Sequence, residues 1–430
     1  MGAGEKRRRE GTKNMDGVRS ARLSQPAGGN RRRVRVTLAA LLAGSLLFTA
    51  ACSGGKSPTW QGGNGAAGTA ESGSPAPEPT LSTVAVTSPK AAATGVEAWS
   101  DVKYTTEDPE NTTVKVTDSK GTEVKGTVDK DESVWHPTES MDWAGKYTVT
   151  VSSPPAEGKN TTVTSTFTTM KKPANLVRVT SFLGDGNKVG VGMPLIIKFG
   201  RSIPEKYRAN VERKMVVTAT PAQEGTWSWI SSTEVHYRPK VYWKAYSKVF
   251  YKVQLKGVKM GDGWYGRSDL TVDLKIGRSL IMTVSNKTKK MTVKQDGKTI
   301  KTLPVSLGKS STPSSSGTMV VIEKKAHTVF DTTDTDPANG YKVEIDYAQR
   351  ITWSGQYIHA APWSEGQQGR RNVSHGCVNV SEAMGAWLFK QTLMGDVITV
   401  SGTEEKLKNG NGWTDWNMSY AEFKKGSALA

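Results

Sequence analysis

The residues with the clearest chemical potential are Cys377 and its neighbours in the run 374–379, Ser-His-Gly-Cys-Val-Asn. Cys377 is one of two cysteines in 430 residues, so the chain does not use its cysteines as a disulfide framework. His375 lies two residues before Cys377, and His359 lies 18 residues upstream. A thiol and an imidazole together can carry out nucleophilic acyl transfer, because the imidazole can lower the thiol pKa or take its proton during attack.

The two histidines could approach the thiol from different parts of the chain. In an extended segment, residues i and i+2 face the same side, which would place His375 beside Cys377. His359 belongs to a separate stretch and could approach from an adjacent strand. Gly376 has no side chain, so backbone amides near Cys377 could point at a substrate oxyanion. The segment can therefore supply a nucleophile, a base and oxyanion donors.

Two other interpretations of these residues are open. A zinc site needs three or four ligands at suitable spacing, and here one Cys and two His are available, with His327 as a distant fourth. Neither Cys-x-x-Cys nor His-Glu-x-x-His occurs, which argues against zinc. Alternatively, Cys377 is a buried small hydrophobic residue and the histidines are structural.

The segment that carries these residues, 277–400, is predicted to be mainly β. Residues 280–284 and 291–295 have the pattern of two paired strands, and a tight Asp-Gly turn follows the second. A helix is predicted after the Cys motif, over residues 382–393 with Ser381 as the N-cap. We expect a catalytic domain over this range.

Two β modules precede it, over residues 88–171 and 172–276. Both contain short alternating stretches separated by turn signals, which predicts β-sandwiches of immunoglobulin-like architecture. The C-terminal residues 401–430 are polar but contain large aromatic side chains, so we expect them to pack back onto another domain. Four tryptophans are predicted to fill the core of the second module or its contact with a neighbour: Trp227, Trp229, Trp243 and Trp264.

Residues 1–52 have the organisation of a bacterial lipoprotein signal. Residues 1–36 carry 11 Lys and Arg against 3 Asp and Glu, and residues 37–51 are uncharged and apolar. This stretch is shorter than the roughly 20 residues of a transmembrane helix, and small residues precede Cys52 as in a lipobox. We expect lipidation at Cys52, with a plain signal peptide or a retained anchor as the alternatives. Residues 53–87, rich in Gly, Ser and Pro, are predicted to be a disordered linker.

The formal net charge is +18, and the N-terminal tail supplies a large part of it. No dense basic run and no base-reading motif follows the tail, which argues against nucleic acid as a partner. A weakly basic surface suits an anionic partner such as a cell-wall polymer or lipid headgroups.

His359, followed after 14 residues by the run 374–379, resembles the signature of the L,D-transpeptidase (YkuD) catalytic domain. The similarity extends through residues 340–343 and 359–364. The modular layout also resembles actinobacterial members, which carry an anchor, a linker, immunoglobulin-like domains, the catalytic domain and a Trp-containing C-terminal segment. The fold class implied is mainly β: two immunoglobulin-like β-sandwich modules, then a mainly-β YkuD-type domain with one helix after the Cys motif.

The resemblance implies a role for each matching residue. Cys377 would be the nucleophile that forms a thioester, and His359 would be its general base, oriented by the backbone carbonyl of Ala360. His375, Gly376 and the Cys377 amide would shape the oxyanion hole and the cleft. The substrate-binding positions implied by the match are Tyr341, Ser354, Gly355, Trp363, Ser374 and Asn379.

Tyr341 resembles the tyrosine that lines the oxyanion hole in the family, and the Ser374 side chain could equally be a turn residue. Residues 331–340 correspond to a lid over the active site. Calcium binding through Asp334 and Asp336 is the alternative for that segment, although the Gly and the terminal Glu of an EF-hand are missing.

The activity implied by the resemblance is formation of 3–3 crosslinks in peptidoglycan. The enzyme would cleave the bond between a diamino acid and D-Ala in a tetrapeptide stem, release D-Ala, and transfer the acyl group to an amine of a neighbouring stem. No cofactor or metal is implied, carbapenems would acylate Cys377, and the location would be the outer face of the cell membrane, through the lipid anchor. An L,D-carboxypeptidase, a protein-anchoring acyltransferase and a non-catalytic wall-binding lipoprotein are the alternatives.

Overall fold

The computed structural model of the chain describes residues 83–157, 159, 161–331, 333, 340 and 342–430. The predicted signal segment, Cys52, most of the predicted linker, Tyr341 and both Asp334 and Asp336 lie outside the described residues. Within the described part, no helix is long and apolar enough to cross a membrane.

The first β module is a pair of four-stranded sheets around one core. Its strands are β1 (Val84–Ser88), β2 (Ala93–Val96), β3 (Val102–Thr106), β4 (Thr113–Asp118), β5 (Gly126–Asp129), β6 (Val134–Pro137), β7 (Lys146–Ser152) and β8 (Thr162–Thr169). One sheet has the order β1-β3-β6-β5 and the other β2-β8-β7-β4. Alternate residues of β7 are buried, as expected for a strand with one face on a core, and both sheets contribute to that core through residues such as Val102, Trp135 and Phe167. The strand β1 starts inside the segment that the sequence assigned to the linker.

The second module contains three sheets and one helix. Its elements are β9 (Leu176–Val177), β10 (Val179–Ser181), β11 (Lys188–Val189), β12 (Leu195–Phe199), α1 (Glu205–Glu212), β13 (Met215–Thr220), β14 (Gly225–Ser231), β15 (Glu234–Pro239), β16 (Lys248–Val253), β17 (Lys259–Gly261), β18 (Trp264–Gly266) and β19 (Leu270–Ile276). The sheet orders are β10-β12-β15-β14, β11-β19-β16-β13 and β17-β18-β9. Trp227, Trp229 and Trp243 are buried in the core as predicted, whereas Trp264 is half-buried at its edge.

The catalytic segment consists of two further sheets with one helix against the smaller sheet. Its elements and those of the C-terminal residues are β20 (Leu280–Ser285), β21 (Lys290–Gln295), β22 (Lys298–Pro304), β23 (Ser315–Val320), β24 (Glu323–Asp331), β25 (Lys342–Arg350), β26 (Tyr357–Ala360), β27 (Val378–Val380), α2 (Glu382–Gln391), β28 (Val397–Ser401), β29 (Glu405–Lys406) and α3 (Tyr420–Lys424), with short 3-10 helices at Pro362–Ser364 and Asp415–Asn417. The larger sheet has the order β22-β21-β20-β28-β23-β29, and the smaller β24-β25-β26-β27.

The helix α2 is the one predicted from the sequence, and it begins where predicted. The hydroxyl of Ser381 accepts a hydrogen bond from the Met384 amide at 3.3 Å, which caps the first turn. The helix packs closely on β26, because a Cβ atom at Gly385 would lie 2.9 Å from the Cβ of Ala360. A side chain larger than hydrogen at Gly385 would therefore push the helix away from the strand that carries His359.

The C-terminal residues pack onto the second module, which confirms the expectation from their aromatic content. Trp413 is buried, and its ring contacts Phe182 edge to face with ring centroids 4.8 Å apart. The Trp416 indole donates a hydrogen bond to the carbonyl of Gly192 at 2.7 Å. The C-terminal segment thus joins the catalytic segment to the module that precedes it.

A buried histidine fixes the same contact. Nδ1 of His236 lies 2.7 Å from the Asp415 carboxylate, and Nε2 lies 2.7 Å from that of Glu234. Burial alone would lower the pKa of His236, but the two carboxylates outweigh it and raise that pKa to about 9. The hydrogen bond to His236, together with Lys198, lowers the pKa of Glu234 to about 2 against the opposing effect of burial. The ring is therefore protonated at neutral pH and links the second module to the C-terminal segment by charge-assisted hydrogen bonds.

We expect the stability contributed by His236 to disappear at alkaline pH. A folded-state pKa above the ordinary value of about 6.5 means that the contribution is complete below about pH 6.5 and is lost as the pH rises through about 9. Between these limits the wild-type chain should lose about 3 kcal/mol of unfolding free energy more than the His236→Gln variant, which cannot titrate. Denaturant unfolding of both chains across this pH interval measures the difference, and parallel curves would contradict the assignment.

Candidate active site

A cleft of about 520 Å³ opens over Cys377. It brings together six of the residues that the sequence singled out: His359, Trp363, Ser374, His375, Cys377 and Asn379. The other lining residues were not predicted: Phe330, Val343, Ser364, Gln367, Arg371 and Val373.

The pairing of two short strands places His359 on the strand beside the one that follows Cys377. Strands β26 and β27 are parallel neighbours, with His359 opposite Asn379 in the register. Cys377 is the residue directly before β27. The sequence suggested that His359 could approach from an adjacent strand, and the register confirms that its strand neighbours the one that follows Cys377.

His359 is held as a neutral imidazole. Its Nδ1 lies 2.7 Å from the carbonyl oxygen of Ala360, and because a carbonyl can only accept, Nδ1 carries the proton and Nε2 is left with a lone pair. Burial lowers the pKa of His359 and outweighs the Ala360 carbonyl and the Asn379 side chain, which act in the opposite direction. A neutral ring with a free lone pair at Nε2 has the form that a general base needs.

Aromatic rings account for much of this burial. The Phe330 ring meets the His359 ring edge to face at 5.7 Å between centroids, and the centroid of the Trp363 ring lies 6.0 Å from that of His359. Phe330 in turn packs against Tyr357 at 4.5 Å. The imidazole is only 4 % exposed, so water has little access to the atom that would take a proton.

The thiol of Cys377 is buried and protonated in the resting state. Burial raises its pKa to about 12, and the backbone of Tyr357 opposes this shift only in part. Among the described residues its hydrogen-bond acceptor is the Gly355 carbonyl, at 3.9 Å from Sγ. A neutral thiol is a poor nucleophile, so its proton has to leave during attack, which requires a base.

The turn that carries the thiol is fixed by two serine hydroxyls. Oγ of Ser374 accepts from the Gly376 amide at 3.1 Å and donates to the Cys377 carbonyl at 2.7 Å. Oγ of Ser314 donates to the Gly376 carbonyl, also at 2.7 Å. Gly376 has a φ of 120°, a backbone conformation that other residues rarely adopt. The Ser374 hydroxyl is therefore used to form the turn, which was the alternative drawn from the sequence.

This turn leaves one backbone donor free. Within the described residues, no acceptor is hydrogen-bonded to the amide N–H of Cys377. A donor at the nucleophile itself lies where the oxygen of an attacked carbonyl would develop negative charge.

His375 is placed differently from the expectation. Residues 375–377 form a bend instead of an extended strand, so the rule that i and i+2 face the same side does not apply to them. The His375 side chain is exposed, and its Nε2 lies 3.2 Å from Nζ of Lys309. Partial burial and the Lys309 charge both lower its pKa. His375 thus lies at the rim of the cleft.

Ser354 and Gly355 do not line the cleft. The Ser354 amide donates to Oδ1 of Asn411 at 2.8 Å, and Nδ2 of Asn411 donates to the Ser354 hydroxyl at 2.9 Å. Gly355 presents its carbonyl to the Cys377 thiol. Asn411 of the C-terminal segment therefore holds Ser354 in place, and the following residue, Gly355, contacts the Cys377 thiol. Ser354 and Asn411 are 57 residues apart in the sequence, so local sequence patterns could not show this contact.

The positions of the His, Cys, Asp and Glu side chains bear on the alternative of a metal site. In the described ranges, no three His, Cys, Asp or Glu side chains are grouped so that they could hold a metal ion. His327, the distant candidate ligand, is exposed, and its Nδ1 lies 2.8 Å from the Asp346 carboxylate.

The arrangement suits one kind of chemistry. A thiol that loses its proton only during attack, next to an amide that can stabilise an oxyanion, is adapted to carbonyl electrophiles. Fold and site define a cysteine acyltransferase on a mainly-β scaffold.

Comparison with known proteins gives the family. The family model of the L,D-transpeptidase catalytic domain, YkuD, matches residues 279–400, and that of a bacterial Ig domain matches residues 93–259. L,D-transpeptidase 2 of Mycobacterium tuberculosis is 33% identical over 346 residues, which cover 79% of this chain and 83% of the relative. L,D-transpeptidase 5 of the same species is 32% identical over 326 residues, which cover 74% and 70%. The chain belongs to the L,D-transpeptidase family, which confirms the resemblance drawn from the sequence.

One solved structure is also similar to this chain in sequence. The structure of LD transpeptidase LdtMt1 in complex with imipenem is 33% identical and has a TM-score of 0.46. The match covers 53% of this chain and 100% of that one.

Proposed function

We propose that this enzyme forms 3–3 crosslinks in peptidoglycan. Family membership supports the reaction class, and the observation that carries the proposal is the neutral His359 imidazole on the strand next to the Cys377 segment, in one cleft. The donor is a tetrapeptide stem whose third residue is a diamino acid followed by D-Ala.

The first half of the reaction forms the thioester. Nε2 of His359 takes the thiol proton while Sγ of Cys377 attacks the carbonyl of the diamino acid, and the Cys377 amide donates to the oxyanion. The intermediate collapses as the protonated His359 gives its proton to the departing amine of D-Ala. The diamino acid is then bound to Sγ as a thioester, and D-Ala is free.

The second half transfers the acyl group to an amine. The side-chain amine of a neighbouring stem attacks the thioester and His359 takes its proton. The C–S bond then breaks, and His359 passes that proton to the departing Sγ, which restores the thiol and the neutral imidazole. Phe330, Val343, Trp363 and Val373 give the cleft a largely apolar lining, which disfavours water as the competing acceptor.

Product analysis tests this function against its alternatives. The purified chain is incubated with a tetrapeptide donor, with and without an amine acceptor, and the products are identified by mass spectrometry. We expect a crosslinked product that lacks one D-Ala when the amine is present. A tripeptide with a free carboxyl group as the sole product in both arms would identify an L,D-carboxypeptidase. Transfer only to a protein amine would identify an anchoring enzyme, and no product from any donor would favour the non-catalytic wall-binding lipoprotein.

We also propose that carbapenems acylate Cys377. A β-lactam carbonyl is an electrophile of the type the site is built to attack, and a homologous enzyme has been solved in complex with imipenem.

We further propose that the chain is lipid-anchored at Cys52 to the outer face of the cell membrane. The basic, apolar and small-residue segments before Cys52 support this location, since they have the order of a secretory signal. Metabolic labelling with a fatty acid tests it, because label should enter the wild-type chain and be absent from a Cys52→Ala variant.

A further inference from the structure

We propose that Arg371 makes the enzyme selective for donor stems that carry a free carboxylate, in preference to stems in which that carboxylate is amidated. The proposal rests on the proposed function and names a feature of its donor. Of the described residues that line the cleft, Arg371 alone carries a permanent charge, since the others are aromatic, aliphatic, neutral polar, thiol or imidazole groups.

The guanidinium of Arg371 has no partner among the described residues. In the described part of the chain, no hydrogen bond, ion pair or ring contact involves it. Its main chain, in contrast, is fixed on both sides. The Arg371 amide donates to the carbonyl of Gln367 at 3.0 Å, and its carbonyl accepts from the Ser306 hydroxyl at 2.9 Å. A fixed backbone with a free guanidinium beside a nucleophile is an arrangement suited to binding a ligand.

The chemistry of the guanidinium identifies that ligand as a carboxylate. Five N–H donors in a planar fork match the two oxygens of a carboxylate, whereas a carboxamide offers one acceptor oxygen and no charge. Arg371 is exposed, so its guanidinium is accessible to a carboxylate that enters the cleft from solvent.

A tetrapeptide stem offers this chemistry from three sources. They are the α-carboxylate of an acidic residue placed before the diamino acid, the second carboxylate of a diamino acid that is also a diacid, and the terminal carboxylate of D-Ala. Each can be replaced singly by a carboxamide, so a set of four donors separates them: the parent peptide and three monoamides.

Binding is measured first, in a Cys377→Ala background, so that the result does not depend on turnover. Amidation of the recognised carboxylate should weaken binding roughly fivefold, the effect expected for an ion pair with an exposed guanidinium. Arg371→Gln should weaken binding of the parent donor by a similar factor and remove the preference, leaving the affinity for that monoamide within about twofold. Arg371→Lys should restore part of the preference, because it keeps the charge but loses the planar fork.

The adjacent Arg370 supplies the matched control. It is also exposed and does not line the cleft, so Arg370→Gln removes the same charge without touching the proposed contact. The proposal is overturned if Arg370→Gln lowers affinity as much as Arg371→Gln, or if Arg371→Gln weakens all four donors equally. The same ratios should appear in kcat/KM of the otherwise wild-type chains. Loss of turnover with every donor would count against the proposed function alone, since the binding ratios decide the role of Arg371.

Discussion

Cys377→Ala will abolish acylation by a tetrapeptide donor and by a carbapenem. The thiol is the only group at this position that can form the thioester, because the turn around it contributes backbone donors and serine hydroxyls already committed to hydrogen bonds. We expect turnover to fall by at least about 10⁴-fold, as when the nucleophile of other acyl-transfer enzymes is removed. Intact-protein mass spectrometry after incubation with a carbapenem should show one added drug mass on the wild-type chain and none on the variant.

The second cysteine provides the control for this experiment. Cys52→Ala should keep the full mass shift, since that residue precedes the folded modules and the drug reacts at Cys377. Cys377 is 6 % exposed, and its replacement removes a single sulfur atom, so the fold should be retained and thermal unfolding should move little. A persistent adduct on a folded Cys377→Ala chain would show that another group is the nucleophile and would defeat the assignment.

The sequence could single out Cys377 and His359, which line one cleft, because cysteine and histidine are rare in this chain. One unassigned cysteine and two histidines within 19 residues single out the site without any knowledge of the fold. Strand alternation likewise predicted the first sandwich, and the apolar spacing after Ser381 predicted α2, which ends at Gln391, two residues before the expected Leu393. Both patterns depend only on residues that are close together in the chain, so they can be recognised in the sequence.

The rest of the site depends on contacts between distant segments. Ser314 fixes the turn of Cys377 from 62 residues away, and Phe330 reaches His359 from another strand. Nothing in their local sequence distinguishes them from ordinary strand residues. The helix α1 was missed because its sequence, Glu-Lys-Tyr-Arg-Ala-Asn-Val-Glu, has too few apolar residues to show a helical period.

The position of His375 was predicted wrongly, because the prediction assumed an extended segment. Its spacing from Cys377 favoured a shared face only if the segment were extended, and Gly376 with its φ of 120° bends it. Glycine permits a positive φ but does not require it. The sequence alone therefore could not decide whether residues 375–377 are extended or bent.

Removal of the base by His359→Gln should slow acylation by about 10²- to 10⁴-fold at neutral pH, the usual contribution of a positioned general base. Glutamine can still donate to the Ala360 carbonyl, so the strand geometry is preserved while the proton acceptor is lost. The rate of adduct formation with a carbapenem, followed by intact mass, measures the effect. His375→Gln is the control, and because His375 lies at the rim beside Lys309, it should leave the shape of the pH profile unchanged.

The pH dependence separates general-base catalysis from a preformed ion pair. His359 has a pKa below its ordinary value of about 6.5, and Cys377 has a pKa of about 12, so both groups are neutral across the physiological range. The wild-type rate should therefore fall as the pH drops through the His359 pKa, where the base becomes protonated, and should stay level from about pH 7 to 9. In His359→Gln only the small thiolate fraction can react, so its rate should rise about tenfold for each pH unit over the same interval. Iodoacetamide should label the wild-type thiol slowly at pH 7 for the same reason. Fast labelling at that pH, or a level profile in His359→Gln, would show instead that the thiolate exists before substrate arrives.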